Sequence, residues 1–243
     1  MAKPTKKERK EQKKIEYQEV LKKQKMNDML KKAAIWGGAA LILIASVWGL
    51  ILLSNSTSNS KPDVITAPPI SKDDITIGSQ SAKVSLVEYS DFQCPACAAY
   101  NPLVGQILTE FNGKIIYVYR FFPLSQTHKN ALVSAQAAYA AHKQGKFKEM
   151  NDMLFNTQND WAEKDNPQDI FTEYARKIEL DIDEFKKDMD SDEAKNKIQK
   201  DTNQGTDIGV NSTPTFFLNN NKIENPGTYD NFKKLIENEL SKK

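Results

Sequence analysis

The feature that most constrains this chain is a pair of cysteines two residues apart, Cys94 and Cys97, which are its only cysteines. The residues before the pair, 83–89, are apolar enough to predict a buried strand, and the residues after it, 98–111, predict a helix. Unpaired N–H groups and the helix dipole stabilise an anion at a helix N-terminus. The sequence therefore predicts thiolate chemistry at a junction between a strand and a helix.

The cysteine pair has three possible interpretations. A structural zinc site needs two more ligands, and the chain offers only His128 and His142, which are far from the pair and from each other in sequence. A purely structural disulfide would close so short a loop that it would stabilise the fold only weakly. The position at a helix start favours a redox dithiol, for which we expect neither a metal nor a cofactor. The two histidines are predicted to lie at the surface or at helix ends.

The same physics predicts a role for each residue of the motif. Cys94 falls at the helix start and is the expected attacking sulfur with a low pKa. Pro95 suits the first helical turn, where its missing N–H has no partner to lose. Ala96 brings no positive charge to lower the pKa of Cys94 further. Cys97 lies one turn along, where we expect it to be more buried and to resolve the mixed disulfide.

The N-terminal part of the chain predicts a membrane anchor. Residues 33–53 form an uncharged run of 21 residues, which as a helix is about 31 Å long, enough to cross a bilayer. Trp36 and Trp48 lie toward its ends. A cleaved signal peptide and a buried soluble helix are the alternatives. The run is longer than a signal peptide requires and no Ala-x-Ala site follows it, so we expect one uncleaved transmembrane helix.

Charge predicts the orientation of this anchor. Residues 1–32 carry 12 Lys/Arg and 5 Asp/Glu, a net charge of +7 in a chain whose total is +2, so the remainder is acidic. A basic arm beside a membrane span stays in the cytoplasm, which delivers the C-terminal part outside, where disulfides form. Residues 54–73, rich in Ser, Asn and Pro, predict an extended linker. The basic balance belongs to the arm, and we expect no nucleic-acid binding.

The remainder, residues 74–243, predicts one α/β domain. A strand at 83–89, a helix and a strand at 115–122 make a right-handed βαβ unit, with a short strand at 75–77 before it. Residues from about 129 to 207 predict several short helices packed through apolar stripes. A hairpin follows, with strands at 215–218 and 222–224, and a last helix begins after Pro226. The order is βαβ, a helical block, then ββα.

The residues 88–97, Glu-Tyr-Ser-Asp-Phe-Gln-Cys-Pro-Ala-Cys, resemble the active site of the DsbA family of thiol–disulfide oxidoreductases. The order of the elements is similar to that family over residues 74–240. The resemblance implies a thioredoxin fold with an inserted α-helical domain, here preceded by one transmembrane helix as in anchored family members. It also implies that Cys94 is the nucleophile and Cys97 the resolving cysteine.

Further site residues follow from the same resemblance. Pro214 matches the cis-proline of the family, and Thr213 matches the variable residue before it. Pro102 matches the proline that kinks the active-site helix. Glu88 matches a buried acid on the strand before the motif. From the sequence alone Glu88 has two interpretations, a buried proton acceptor beneath Cys97 with a raised pKa, or a strand-end glutamate that reaches solvent.

These features predict a membrane-anchored oxidoreductase that introduces disulfides into exported proteins with free thiols. A quinone-linked membrane partner would reoxidise it, and residues 33–53 would contact the bilayer. The alternatives are a reductase or isomerase of the same fold, and a tethered binding or chaperone module with a redox-inert disulfide. The chain departs from the family pattern at one position that affects the direction of electron flow. Strongly oxidising family members carry a histidine between the cysteines, where this chain has Ala96.

Overall fold

The computed structural model describes residues 65–242 without a break and, before them, residues 19, 21–23, 25–27, 29–32, 36–38, 42–43 and 45–49, all helical. The chain divides into two units, Met1–Asp63 and Val64–Lys243. Much of the predicted arm, about half of the predicted membrane span and the first part of the predicted linker lie outside the described residues. Within the described part, no helix combines the length and the apolar character needed to cross a membrane.

Five strands form one mixed sheet in the order β1–β3–β2–β4–β5 within residues 65–242. Their bounds are β1 (Ile75–Gly78), β2 (Val84–Ser90), β3 (Ile115–Phe121), β4 (Thr215–Leu218) and β5 (Asn221–Lys222). Strands β2 and β3 are parallel, whereas β1 and β4 run antiparallel to their neighbours β3 and β2. Helices cover both faces of the central parallel pair. Side chains on both faces of β2 and β3 are therefore mostly apolar, and the strands do not alternate between apolar and polar residues.

The helices follow the predicted order. Helix α1 (Pro95–Glu110) joins β2 to β3, and α8 (Tyr229–Ser241) follows the hairpin. The block between β3 and β4 contains α2 (Ala131–Lys143), α3 (Phe147–Asn156), α4 (Gln158–Trp161), α5 (Gln168–Lys177), α6 (Ile182–Met189) and α7 (Asp192–Asp207). The predicted thioredoxin-like α/β fold with a helical insertion is confirmed.

Helix α1 begins three residues earlier than the apolar pattern predicts. Cys94 is its N-cap, with extended backbone angles of φ −74° and ψ 121°, and Pro95 is its first residue. Proline fits there because the first-turn N–H groups have no intrahelical partner. Pro102 lies within the helix, as predicted. The early start places the whole Cys-x-x-Cys motif in the first turn.

The two faces of the sheet carry separate apolar clusters. The face covered by α1 includes Leu86, Tyr117, Tyr119, Phe216 and the fully buried Cys97. The opposite face is smaller and is built from Val87, Tyr89, Ile116, Val118, Phe122 and Phe217. The larger cluster continues into the helical insert, whose predicted apolar stripes are buried at Met150, Leu154, Phe171 and Phe185. The cysteine pair therefore lies over the larger core.

The folded unit begins before Asp74, which corrects the predicted extent of the linker. Arg120, on β3, is only 1% exposed, and its guanidinium donates to the carbonyl oxygens of Pro68 at 3.1 Å and Pro69 at 3.2 Å. The same guanidinium donates to both carboxylate oxygens of Asp74 at 3.0 Å. A buried guanidinium needs acceptors for its donors. Residues 65–73 thus pack against the domain instead of spacing it from a membrane.

Candidate active site

The two cysteines occupy the first turn of α1 and are free thiols. Cys94 is 8% exposed and Cys97 is completely buried. Pro95 and Ala96, between them, are exposed. The arrangement leaves one sulfur within reach of an incoming chain and shields the other, as the sequence predicts.

Hydrogen bonds lower the pKa of Cys94 to about 5. The largest cause is the hydrogen bond from the Cys97 thiol, and burial opposes it. The Thr213 side chain and the backbone N–H groups of Cys97 and Ala96 lower the pKa further. These N–H groups belong to the first helical turn, where they have no carbonyl partner within the helix. Cys94 is therefore a thiolate at neutral pH.

Cys97 has the opposite electrostatics. Burial raises the pKa of Cys97 well above its usual range, and the hydrogen bond that its thiol donates to Cys94 raises it further. The negative charge of Glu88 acts in the same direction. One sulfur is thus anionic and the other protonated, which is the arrangement that thiol–disulfide exchange requires of an attacking and a resolving cysteine.

The loop before β4 faces this sulfur pair. The Thr213–Pro214 peptide bond is cis, and the Sγ of Cys94 lies 3.4 Å from the carbonyl oxygen of Thr213, to which it can donate only when it is protonated. Asn225 holds the loop by donating from its amide to the carbonyl oxygen of Pro214 at 2.9 Å. In the part of the chain that the structure describes, the buried hydroxyl of Thr213 has no hydrogen-bond partner. It is free to donate to the Cys94 thiolate.

Glu88 lies on β2 beneath the pair and is only 4% exposed, so it does not reach solvent. Its Oε2 accepts a hydrogen bond from the hydroxyl of Tyr117 at 2.7 Å. Burial raises the pKa of Glu88 to about 7, against the lowering effect of that bond. A carboxyl with a pKa near neutrality can hold or release a proton at physiological pH.

The helical insert contacts the active-site loop directly through a residue that no sequence motif marks. Gln158, in α4, donates from its side-chain amide to the carbonyl oxygens of Phe92 at 2.7 Å and Cys94 at 3.1 Å. Both carbonyls are buried, so an amide donor offsets the cost of removing them from water. No motif signals this contact, because 64 residues separate Gln158 from Cys94.

Asp91 organises the turn between β2 and α1. Its carboxylate accepts from the backbone N–H groups of Gln93 at 2.8 Å and Leu124 at 2.9 Å, and it lies 2.7 Å from Nδ1 of His128. Its carbonyl oxygen accepts from the N–H of Cys94 at 3.1 Å. The His128 side chain is partly buried, at 21% exposed, and lies three residues before the start of α2. His142 does lie near a helix end, in the last turn of α2.

A second polar link joins the same turn to the insert. The Gln93 amide donates to the carbonyl of Ala162 at 2.8 Å and accepts from the N–H of Asn130 at 2.6 Å. The Asn130 amide donates to three carbonyls in the insert, those of Trp161, Ala162 and Lys164. Asp91 and Gln93 stand in the motif itself, but their partners are distant in sequence and no spacing rule predicts them.

The structure thus brings the predicted residues together. Cys94, Cys97 and Thr213 share hydrogen bonds or electrostatic influence, Pro214 follows Thr213 in the facing loop, and Glu88 lies beneath Cys97 within the same core. The arrangement combines a stabilised thiolate, a buried partner thiol, a titratable acid and the backbone carbonyl of Thr213. Such a set can exchange disulfides without a metal or an organic cofactor.

Comparison with known proteins agrees with this chemistry. A family model described as Thioredoxin matches residues 71–238. The chain is 35% identical over 149 residues to the Na(+)/H(+) antiporter NhaA 3 of Salinispora tropica, covering 61% of this chain but 22% of the antiporter. It is 29% identical over 227 residues to the probable disulfide bond formation protein D of Bacillus cereus, covering 90% of this chain and all of that protein. The chain therefore spans less than a quarter of the length of this antiporter.

The fold also matches a solved structure. BdbD from Bacillus subtilis, in its oxidised form, superposes with a TM-score of 0.66 at 23% identity, covering 74% of this chain and all of the other. At that level of identity the match concerns the fold, and the chemistry is argued from the residues described above.

Proposed function

Because this chain belongs to the thioredoxin family and is a thiol–disulfide oxidoreductase of the DsbA type, we propose that it introduces disulfide bonds into exported proteins. The observation that carries the proposal is the Cys94 thiolate at the start of α1, with a pKa of about 5, beside the buried thiol of Cys97. Stabilising the reduced, thiolate form makes the oxidised form a stronger oxidant, which favours passing the disulfide to substrates.

The reaction begins with the Cys94–Cys97 disulfide. A substrate thiolate attacks the Sγ of Cys94, a mixed disulfide forms, and Cys97 leaves as a thiolate that takes up one proton. A second substrate thiolate then attacks the substrate sulfur of the mixed disulfide. Cys94 leaves as a thiolate, the substrate gains a disulfide, and the enzyme retains the two electrons. Cys94 is attacked because Cys97 is buried.

Glu88 is the proposed proton donor and acceptor for Cys97. A thiolate that leaves inside an apolar core must be neutralised, because a buried charge without a partner is costly. Glu88 is buried in the same core, and its pKa of about 7 lets it supply the proton when Cys97 leaves and take it back on reoxidation.

Thr213 is the proposed backbone contact for substrates. Its carbonyl oxygen lies 3.4 Å from the Sγ of Cys94, at the start of β4. An extended chain whose cysteine reaches Cys94 can therefore form backbone hydrogen bonds with Thr213, which precedes β4 in the loop that faces the sulfur pair. Pro214, the next residue, contributes no N–H to this contact.

The location outside the cytoplasm is part of the proposal. The basic arm and the apolar run at 33–53 support a single-pass anchor with the domain on the oxidising side. A quinone-linked membrane protein would then reoxidise the pair. A reductase, an isomerase and a binding module with an inert disulfide remain the competing functions.

A trapping experiment and a redox titration test the function. A Cys97→Ala variant should accumulate mixed disulfides between Cys94 and exported proteins, and a Cys94→Ala variant is the control that should trap none. Absence of trapped species from the first variant would support the binding module. The reduction potential decides direction, since about −120 mV indicates an oxidase and about −270 mV indicates a reductase.

A further inference from the structure

We infer that Tyr117 is a positioning residue for the redox reaction, whose hydroxyl sets the protonation of Glu88 and thereby the proton exchange of Cys97. The inference deepens the proposed function and rests on it. It starts from one contact, the hydrogen bond of 2.7 Å between the Tyr117 hydroxyl and the Oε2 of Glu88.

The sheet register creates this contact. In the parallel pair β2–β3, Tyr117 lies opposite Leu86 and Tyr119 lies opposite Glu88. Tyr117 and Tyr119 are two residues apart, so both project from the face that α1 covers. The Tyr117 hydroxyl reaches along the strand direction to the carboxylate, and Tyr117 is only 4% exposed. The bond is therefore shielded from water.

Tyr117 donates the hydrogen bond that Glu88 accepts, and among residues 65–242 no lysine or arginine forms an ion pair with that carboxylate. Strand β4 presents the apolar Phe216 opposite Glu88. The titratable or hydroxyl groups that influence Glu88 or are influenced by it come from β2, β3 and the motif, and they are Ser90, Tyr117, Tyr119, Cys94 and Cys97. None of these groups is a cation. The ionised form of Glu88 is therefore stabilised by a hydrogen bond from a phenol and not by a buried positive charge.

The hydrogen bond acts on the ionised acid. A phenol donates to a carboxylate more strongly than to a neutral carboxyl, so the bond favours loss of the proton from Glu88. Burial acts in the opposite direction and is the larger effect. When Cys97 leaves as a thiolate, one proton passes to it from the Glu88 carboxyl, and no oxidation state changes in this transfer. Tyr117 keeps its own proton, because burial raises the pKa of its phenol well above the usual range.

Tyr119 provides a matched control within the same strand. It is 1% exposed and lies opposite Glu88 in the register. Its hydroxyl is buried without a hydrogen-bond partner in the described part of the chain. Replacing either tyrosine by phenylalanine removes one buried hydroxyl from the same face, but only the Tyr117 change removes a hydrogen bond to Glu88.

The test is a titration of Glu88 in the oxidised protein, where neither cysteine ionises. Isotope-edited NMR of the side-chain carboxyl carbons follows the acid, and a Glu88→Gln variant identifies its signal. We expect Tyr117→Phe to raise the pKa of Glu88 by about one unit or more, as loss of a hydrogen bond to a charged group implies. Tyr119→Phe should leave it within a few tenths. An unchanged pKa in Tyr117→Phe, or an equal rise in both variants, overturns the inference.

A second substitution covers the case in which Tyr117→Phe does not fold. A fluorinated tyrosine at position 117 keeps the shape and makes the phenol a stronger donor, so the pKa of Glu88 should fall. A rise or no change would refute the role. In exchange assays, Tyr117→Phe should shift the transition in the profile of rate against pH to higher pH. The same substitution should cause no shift when it is made in the Glu88→Gln variant. A protein that is inactive in exchange would refute the proposed function. The NMR titration does not depend on turnover, so it would still test whether Tyr117 controls the pKa of Glu88.

Discussion

The side-chain amide of Gln158 donates a hydrogen bond to the carbonyl oxygen of Cys94 at 3.1 Å. The contact joins α4 of the helical insert to the N-cap of the redox helix. A second bond from the same amide, to the carbonyl of Phe92 at 2.7 Å, fixes the turn that precedes the motif. The insert is thus a structural support of the active-site turn as well as a cover for the core.

Replacing Gln158 by leucine should destabilise the folded protein. Both carbonyls would stay buried without this donor, which costs about 1–3 kcal/mol in the free energy of unfolding. Gln199→Leu is the control, because Gln199 makes an exposed contact with Asn203 within α7. Urea unfolding of the two variants gives the comparison. Equal effects from both substitutions would show that the insert does not support the motif through Gln158.

The elements of this fold could be predicted from local signals. Strands β2 and β3 and the helix between them follow from apolar runs and from the Cys-Pro start, and these signals lie within a few residues of what they specify. The Cys94 role follows in the same way, since a helix N-terminus stabilises a thiolate wherever it occurs.

The supporting contacts could not be predicted, because each depends on residues brought together by the tertiary fold. Tyr117 and Gln158 read as an ordinary strand residue and an ordinary helix residue. The contact of His128 with Asp91 could not be predicted either, because the two residues are 37 positions apart in the sequence. The linker was predicted to extend to residue 73 because its prolines suggest an extended chain, whereas the buried Arg120 that binds their carbonyls lies on β3.

The Cys97 thiol should account for much of the acidity of Cys94. Its hydrogen bond is the largest cause of the lowered pKa, so Cys97→Ala should raise the pKa of Cys94 from about 5 by about one unit or more. Cys97→Ser keeps a donor and should leave the pKa low. The ultraviolet absorbance of the thiolate as a function of pH measures both. A pKa near 5 in Cys97→Ala would assign the effect to the remaining donors, the Thr213 hydroxyl and the N–H groups of the first helical turn.

Glu88 should make the oxidised protein less stable as the pH rises. Its pKa is about 7 in the reduced protein against an ordinary value of 4.5, and burial, the largest cause, is kept when the cysteines are oxidised, so the folded state holds the proton more tightly than the unfolded chain. The contribution of Glu88 to the free energy of unfolding, about 3 kcal/mol, is therefore complete below pH 4.5. It is lost as the pH rises through 7. Urea unfolding across this range should show the decline in the wild type and a flatter curve in Glu88→Gln. Identical curves would contradict the raised pKa.

The buried ion pair between Asp74 and Arg120 should be essential for stability. Both side chains are almost fully buried, and the guanidinium donates to both carboxylate oxygens. Asp74→Ala leaves a buried cation without its carboxylate, which costs about 3–5 kcal/mol. The neighbouring Asp73 pairs with Lys200 at the exposed surface, so Asp73→Ala should change the free energy of unfolding little. Similar losses in the two variants, measured by urea unfolding, would refute the distinction.

Ala96 should limit the oxidising power of the pair. The residue is exposed between the two cysteines, and its backbone N–H already favours the Cys94 thiolate. A histidine there adds a positive charge below its ordinary pKa of about 6.5 and should stabilise the reduced form. Since about 1.4 kcal/mol corresponds to about 30 mV for this two-electron couple, Ala96→His should raise the reduction potential by tens of millivolts.

The pH dependence separates charge from any other effect of the Ala96 substitution. Equilibration against a glutathione buffer should show a larger rise in potential at about pH 5.5 than at about pH 8, because the imidazole loses its charge between them. Ala96→Asn is the neutral control and should show no such dependence. A rise that is equal at both pH values, or equal in the two variants, would mean that the charge is not responsible. The wild-type alanine would then have no bearing on the direction of exchange.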